Sequence, residues 1–512
     1  AEDDGDTGPR QGSDLFGNLP AKLGDPIGGK AVRRGQRRDH VRPAQRIVLR
    51  NPEEVGNIAA GARVLQHDGE DFRPGAPLVA QTALPADGRE TDLLLQVLTA
   101  DGAFVIEYAP EPPRDLPLPD VVTETPPPQE MPTVEALYLA GVHLEQYRHS
   151  TVSPLGYWQE ALRREPDDAR CNTALGRWHL REGDYPKAEA HLRRAVATIT
   201  RWNPNPYEGE AYYYLGSALH YQGRLDEAYT AYYKATWNYA WRSPAHYALA
   251  EIDCRRAAYP TALAHLDESL KTNVDHLKAR ALKAAILRRV GRYDEAARLI
   301  DETKALDPLN YGTLYEEALL KRAQGHKQDA AQAEATLIHL MSKRAQTYLD
   351  IAFDYGRAGL WQEAADILEL LIEQPINGTP PNPMTYYTLA YAHRALSDAE
   401  GADAAAREGA ALPVDYCFPS RLEERFVLQN AIDHNPHDSH AHYFLGNLLY
   451  DKHQYEAAIE LWETASRLEP RLAVVWRNLG IAYHNIRRDM TAAKACYSLA
   501  FELAPQNGRI LF

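Results

Sequence analysis

GEAYYYLGSALHYQGRLDEAYTAYYKATWNYAWR (209–242), SPAHYALAEIDCRRAAYPTALAHLDESLKTNVDH (243–276) and LKARALKAAILRRVGRYDEAARLIDETKALDPLN (277–310) follow one another without a gap and share one length. Laid one under another, their small residues fall into columns. Ala228, Ala262 and Ala296 form one column, continued by Ala330 and Ala364. Gly216, Ala250 and Ala284 form a second, continued by Ala318 and Ala352, and every step is 34 residues. Such a period, with small residues on two successive helices, marks a helix–turn–helix unit that stacks into a solenoid, because each small side chain lets one helix approach the next closely. The expected fold class is therefore mostly α: a right-handed α-solenoid of helix pairs, preceded by a small incomplete β unit.

Working outward, full repeats are expected to begin near Ala169, Gly209, Ser243, Leu277, Tyr311, Ala345, Pro383, Ser439 and Ala473. Before them, helices over 133–147 and 154–165 read as an irregular cap, with Pro154 where a small residue is expected. Extra residues around 202–206 and 377–381 lengthen two turns, and between 413 and 438 only a second helix, 421–434, keeps the register. Four regions follow: a disordered or truncated segment over 1–45, a small β-sandwich remnant over 46–110, a Pro-rich linker over 111–132 and the solenoid over 133–512. In the β unit, 62–66, 78–84, 91–98 and 104–108 read as strands, and Asp101-Gly102 as a hairpin turn. The prolines at 110, 112, 113, 117, 119, 126, 127, 128 and 132 favour an extended, stiff linker.

A net charge of −15 over 512 residues argues against duplex nucleic acid as the main partner. The basic cluster Arg33, Arg34, Arg37, Arg38, Arg42 and Arg46 has no interleaved aromatics and reads as a solvated run. No apolar run approaches the length of a membrane span, and AEDDGDTGPR at the start lacks the features of a signal peptide. A cytoplasmic location is expected, with no membrane and no nucleic-acid partner. The chain starts at Ala1 without an initiator Met, so either its start has been removed or it is a fragment, and because its last residues open another apolar turn, continuation past Phe512 is expected. Cys171, Cys254, Cys417 and Cys496 are too scattered for a zinc site or disulfide scaffold and read as buried free thiols.

Leu445-Gly446 with Ala458, Trp462, Ala465 and Pro470, then Trp476, Leu479-Gly480, Tyr483, Ala493, Tyr497, Ala500 and Pro505, resemble two tetratricopeptide repeats, the second with one inserted residue. Leu215-Gly216, Ala228 and Ala235 fit the same pattern. More narrowly, YKATW (233–237) followed by ALAEIDCRR (248–256), after a β segment, resembles bacterial tetratricopeptide proteins with an uncharacterised N-terminal β domain akin to carbohydrate-active supersandwiches. That resemblance implies two functions. One is a non-catalytic scaffold for a protein or peptide partner. The other is the C-terminal helper half of a carbohydrate-active or carbohydrate-binding enzyme whose β domain is mostly missing here.

The resemblance also directs attention to the inner face, formed by particular positions of each first helix. The fifth residues of the units are Thr173, Tyr213, Tyr247, Ala281, Tyr315, Leu349, Tyr387, Tyr443 and Arg477. Later inner positions add Arg255, Arg288, Arg322, Tyr391, Arg394 and Asn447. Tyr and Arg offer large contact area, planar donors and a polar handle, so a ligand groove is expected along this row, with core packing as the competing reading. Asn447 and Asn478 add amides suited to the backbone of an extended peptide, though the basic partners of a carboxylate clamp are not at matching positions. The inner positions carry Arg177, Arg181, Arg255, Arg288, Arg289, Arg322, Arg394 and Arg477 against one clear acid, Glu251, which predicts a positive groove in an acidic protein. His434, His437, His440 and His442 read as a surface turn, and Trp237, Tyr239 and Trp241 as packing beneath a lengthened turn. No catalytic motif, cofactor site or metal site is expected, and the oligomeric state stays open.

Overall fold

The computed structural model describes the backbone of residues 46–51 and 62–68 and, with side chains, residues 89, 91, 93–98, 103–111, 124–342, 344–373 and 382–508. The expected strand at 78–84, the Asp101-Gly102 turn, the segment 1–45 and the insertion at 377–381 lie outside the described residues. Two compact units result, 1–123 and 124–512.

In the first unit β1 (Arg46–Asn51), β2 (Ala62–Asp68), β3 (Leu94–Leu98) and β4 (Phe104–Tyr108) form one antiparallel sheet in the order β2-β1-β3-β4. Leu94 and Gln96 alternate inward on β3, and the Gln96 amide donates to Glu107 on β4 at 2.7 Å. β1 is a strand the sequence pattern did not single out, since RIVLRN places arginines at both flanks of a short apolar run.

The second unit is a stack of helix pairs: α1 (Val134–Gln146) with α2 (Leu155–Arg164), α3 (Ala169–Arg181) with α4 (Tyr185–Thr200), α5 (Glu210–Tyr221) with α6 (Leu225–Ala235), α7 (Tyr239–Arg255) with α8 (Tyr259–Thr272), and α9 (Leu277–Arg289) with α10 (Tyr293–Leu306). It continues with α11 (Tyr311–Ala323) and α12 (Lys327–Met341), α13 (Ala345–Arg357) and α14 (Trp361–Ile372), and α15 (Pro383–Ala395) and α16 (Ala399–Ala411). A single helix, α17 (Leu422–His434), precedes α18 (Ser439–Asp451) with α19 (Tyr455–Leu468) and α20 (Ala473–Ala482) with α21 (Met490–Leu503). The α-solenoid read from the period is the fold.

Volume complementarity explains the columns of small residues. A Cβ on Gly216 would sit 2.7 Å from the Tyr232 ring, and one on Gly446 2.5 Å from the Trp462 ring. Where the first helix offers Ala instead, as at Ala250, Ala284 and Ala352, the residue sixteen positions on is the slimmer Leu266, Ile300 or Leu368, all in the core. The small residue in the first helix thus makes room for a large side chain from the second, aromatic at Gly216 and Gly446 and aliphatic at Gly176, where Leu192 would lie 2.5 Å from an added Cβ.

Part of the expected linker is not free. The Tyr157 hydroxyl donates to the Pro126 carbonyl at 2.9 Å, and the Arg164 guanidinium reaches the Met131 carbonyl at 2.7 Å and those of Pro128 and Gln129. Residues 126–131 are therefore fastened to the first helix pair.

Candidate binding site on the inner face of the solenoid

Periodic stacking of helix pairs coils, and here the coil completes a turn. The turn between α3 and α4 meets α17 and the α18–α19 turn: Arg425 Nη1 donates to the Gly183 carbonyl at 2.7 Å, Gln454 Nε2 to the Glu182 carbonyl at 2.5 Å, and His453 Nδ1 lies 2.7 Å from Glu182 Oε2. Tyr185, Tyr221 and Phe426 stack nearly parallel, with centroids 5.1 Å apart for the first pair and 6.2 Å for the second. Leu422 and Phe426 of α17 pack on the core of the early repeats. Halfway around, Arg357 on α13 reaches back to Glu251 on α7 at 3.1 Å and to Glu423 on α17 at 3.6 Å.

This closure bounds an inner cavity of about 610 Å³, within the range of ligand pockets. Its wall carries Tyr213, Tyr214 and Tyr221 from α5, Phe353 from α13, Trp361 from α14, Tyr391 from α15 and Phe426 from α17. Tyr213 is braced by Trp241, 4.9 Å away and nearly parallel, and Tyr391 stands edge-on to Trp361 at 5.4 Å. Burial pushes the Tyr213 phenol up to about 12, so it stays a neutral donor. Burial, with the Arg357 and Arg255 charges, holds His220 down at about 4, so the imidazole is neutral near pH 7. Arg255 is exposed on the wall and makes no ion pair among the described residues.

The expected site residues divide into three groups. Tyr213, Arg255 and Tyr391 meet in this cavity. Tyr247 is half-buried against His276 and lines a different cavity. Tyr315, Tyr387 and Tyr443 are core, at 2%, 1% and 6% exposure. The Tyr315 hydroxyl donates to the Glu363 carbonyl at 3.2 Å and that of Tyr387 to the Asp438 carboxylate at 2.9 Å, so these rings are placed for packing.

Most of the arginines are also spent. Arg288 and Arg289 share Glu363, and Arg288 also takes Glu316, which accepts from the Tyr355 hydroxyl as well. Arg177 and Arg181 hold Glu145, Arg322 holds Glu334, and Arg394 holds Asp403 and the Asn430 amide. The uniformly positive groove expected from position counting is thus corrected: acids from outside the counted positions cancel most of the charge, while exposed Arg255 and half-buried Arg477, which bonds Asn478, have no ion pair among the described residues. Asn478 donates to Asn447 at 2.9 Å, Asn447 also accepts from Trp462 Nε1, and Arg477 donates to Asn478. The two amides therefore bind each other across α18 and α20. Elsewhere, His442 is buried against the Asp438 carbonyl and His434 meets that of Asn430. The four cysteines are buried free thiols.

Trp361, Phe353, Arg357, Glu423 and Phe426 enter the site without having been singled out from the sequence. They arrive from helices that start 90 or more residues after the end of α7, through curvature, and a local period carries no signal for that.

Comparison with known proteins agrees on the class of repeat. Residues 167–236 and 427–461 match family models described as tetratricopeptide repeat, and 446–486 one described as TPR repeat. The helix pairs within these stretches are tetratricopeptide repeats, and the matched stretches all fall in the helical unit. Among solved structures, a tetratricopeptide repeat protein from Parabacteroides merdae ATCC 43184 is 18% identical, with 52% of this chain and 98% of that one covered and a TM-score of 0.34. YrrB, described as a TPR protein with an unusual peptide-binding site, is 17% identical over 41% of this chain and 95% of its own, with a TM-score of 0.20. Naa15/Naa10 bound to HypK-THB gives 14% identity over 74% of this chain and 64% of that one, with a TM-score of 0.28. No helix among the described residues is long and apolar enough to cross a membrane.

Proposed function

We propose that this chain is a non-catalytic scaffold that holds a segment of a partner protein or peptide on its inner face, centred on the cavity bounded by α5, α13, α15 and α17. The observation that carries the reading is the convergence of aromatic rings from these helices around about 610 Å³, with Arg255 exposed on the wall. Aromatic rings give large rigid contact area at small entropic cost, and a free guanidinium selects a carboxylate or a main-chain carbonyl. The matching ligand is a segment with an aromatic or aliphatic side chain beside an acidic one.

The test is to pan a random dodecapeptide display library against the whole chain and titrate enriched peptides by calorimetry. Enriched peptides should combine an apolar and an acidic residue. Tyr213→Ala with Tyr391→Ala should weaken them by about 1–4 kcal/mol at unchanged helix content. Peptides that bind this double variant as tightly as the parent would overturn the reading.

A further inference from the structure

The inner face has a second cavity, and its chemistry is opposite to the first. In the row of fifth positions, Tyr213, Tyr247 and Tyr315 flank Ala281, where the aromatic side chain is missing. The space is not refilled from α11, because Gly312 faces it: a Cβ built there would lie 3.5 Å from that of Ala281. What remains is about 370 Å³ open beside Ala281, with Tyr247, Tyr311 and Tyr355 in its wall.

The polar part of that wall is dominated by carboxylates. Asp307, Asp350 and Asp354 line it against a single ammonium, Lys278, which is held by Asp354 at 2.6 Å. Arg421, outside the cavity, pairs with Asp350. Asp307 accepts the Leu309 N–H at 3.0 Å and has no ion pair among the described residues. Asn310, which also lines the cavity, caps α11 by accepting from Thr313 N. The Glu251–Arg357 pair connects α7 and α13, the two helices that contribute walls to both cavities. The first cavity presents the exposed Arg255; here an entering cation meets an excess of carboxylates and tyrosine rings, whose π faces attract ammonium and guanidinium groups.

We infer that the cavity beside Ala281 is a socket for a basic side chain, lysine or arginine, of the segment bound on the inner face. The inference rests on that face being a binding surface, and it makes the ligand bipolar: a basic residue here and an acidic or aromatic one at the first cavity. The absent tyrosine is the specificity device, since a repeat that kept its ring at this position would close the socket.

The probes are N-acetylarginine methylamide and N-acetyllysine methylamide, with N-acetylglutamine methylamide as the uncharged control, each followed by saturation-transfer NMR on the whole chain. The basic probes should bind and the glutamine probe should not, and binding should weaken as salt screens the carboxylates over about 8–10 Å. Ala281→Tyr should reduce binding of the basic probes at least about tenfold, while Tyr213→Ala with Tyr391→Ala should leave it unchanged, which separates this socket from the first cavity. If Ala281→Tyr lowers the melting temperature sharply, Asp307→Asn carries the test, with an expected loss of about three- to tenfold. Equal binding of the glutamine probe, or parental binding by the well-folded variants, would overturn the socket and leave the first cavity untouched.

Discussion

Phe426→Ala removes the ring through which α17 grips the early repeats. Phe426 lies 6.3 Å from Tyr185 and 6.2 Å from Tyr221, nearly parallel to both. Two ring pairs contribute about 0.5–1.5 kcal/mol each, and truncating a half-buried Phe costs roughly half of the 3–5 kcal/mol seen for a fully buried one. These estimates overlap in what they count, so about 2–3 kcal/mol is expected. Because the partners are more than 200 residues apart in sequence, the loss should fall on closure of the coil. Each helix pair keeps its own contacts with its neighbours. Hydrogen exchange should therefore quicken at the α3–α4 turn, in α5 and in α17, with circular dichroism unchanged. Exchange that stays at the parental rate in these segments, or quickens evenly through all repeats, would refute the argument that this stack fastens the turn.

Stability should fall as pH drops below about 6.5. Burial is the first cause that holds His179, His191, His220, His246, His265 and His276 below the usual histidine value, with His220 and His246 at about 4. A base whose pKa is lower in the folded state binds protons more readily when unfolded. Its contribution is thus complete above the unfolded value and is lost as pH falls toward 4, about 2 kcal/mol each for His220 and His246 by pH 5. Urea midpoints at pH 7.5 and pH 5 check this. Glu363→Ala strips the carboxylate shared by Arg288 and Arg289; Arg288 keeps Glu316, so the loss falls on half-buried Arg289 and should be about 1–3 kcal/mol in denaturant titration. Gly446→Val should lower the melting temperature through a clash with Trp462, with about 1–3 kcal/mol lost.

The repeats were legible because their signal is local. Ala169, Leu277, Tyr311, Ala345, Pro383, Ser439 and Ala473, chosen from the period, are each the first residue of a helix. Ser243 is not: α7 begins at Tyr239, where Asn238 accepts from Ala240 N and adds a turn with Pro244 inside the helix. The site was legible only in part. Position counting pointed to Tyr213, Arg255 and Tyr391, which line the first cavity, but it treated all inner tyrosines alike. The tyrosine row sorts by depth. Tyr315 is sealed by Glu363, 48 residues further on, while Tyr213 borders open space. Which of these happens depends on how far the coil closes, and so on contacts such as Arg357 with Glu251 that the period does not encode. The same limit hid the carboxylates that cancel the inner arginines.

The first cavity exists only if the coil closes, because α3 and α17 both contribute to its wall. Spin labels at Lys187 and Gln429, each within about one helical turn (5.4 Å) of the Gly183–Arg425 contact, measure that closure directly by pulsed electron paramagnetic resonance. Both positions are exposed, so the labels need not disturb the core. One short, narrow distance in the ligand-free protein is the predicted result. A long or broad distribution, as an open coil would give, would contradict the account.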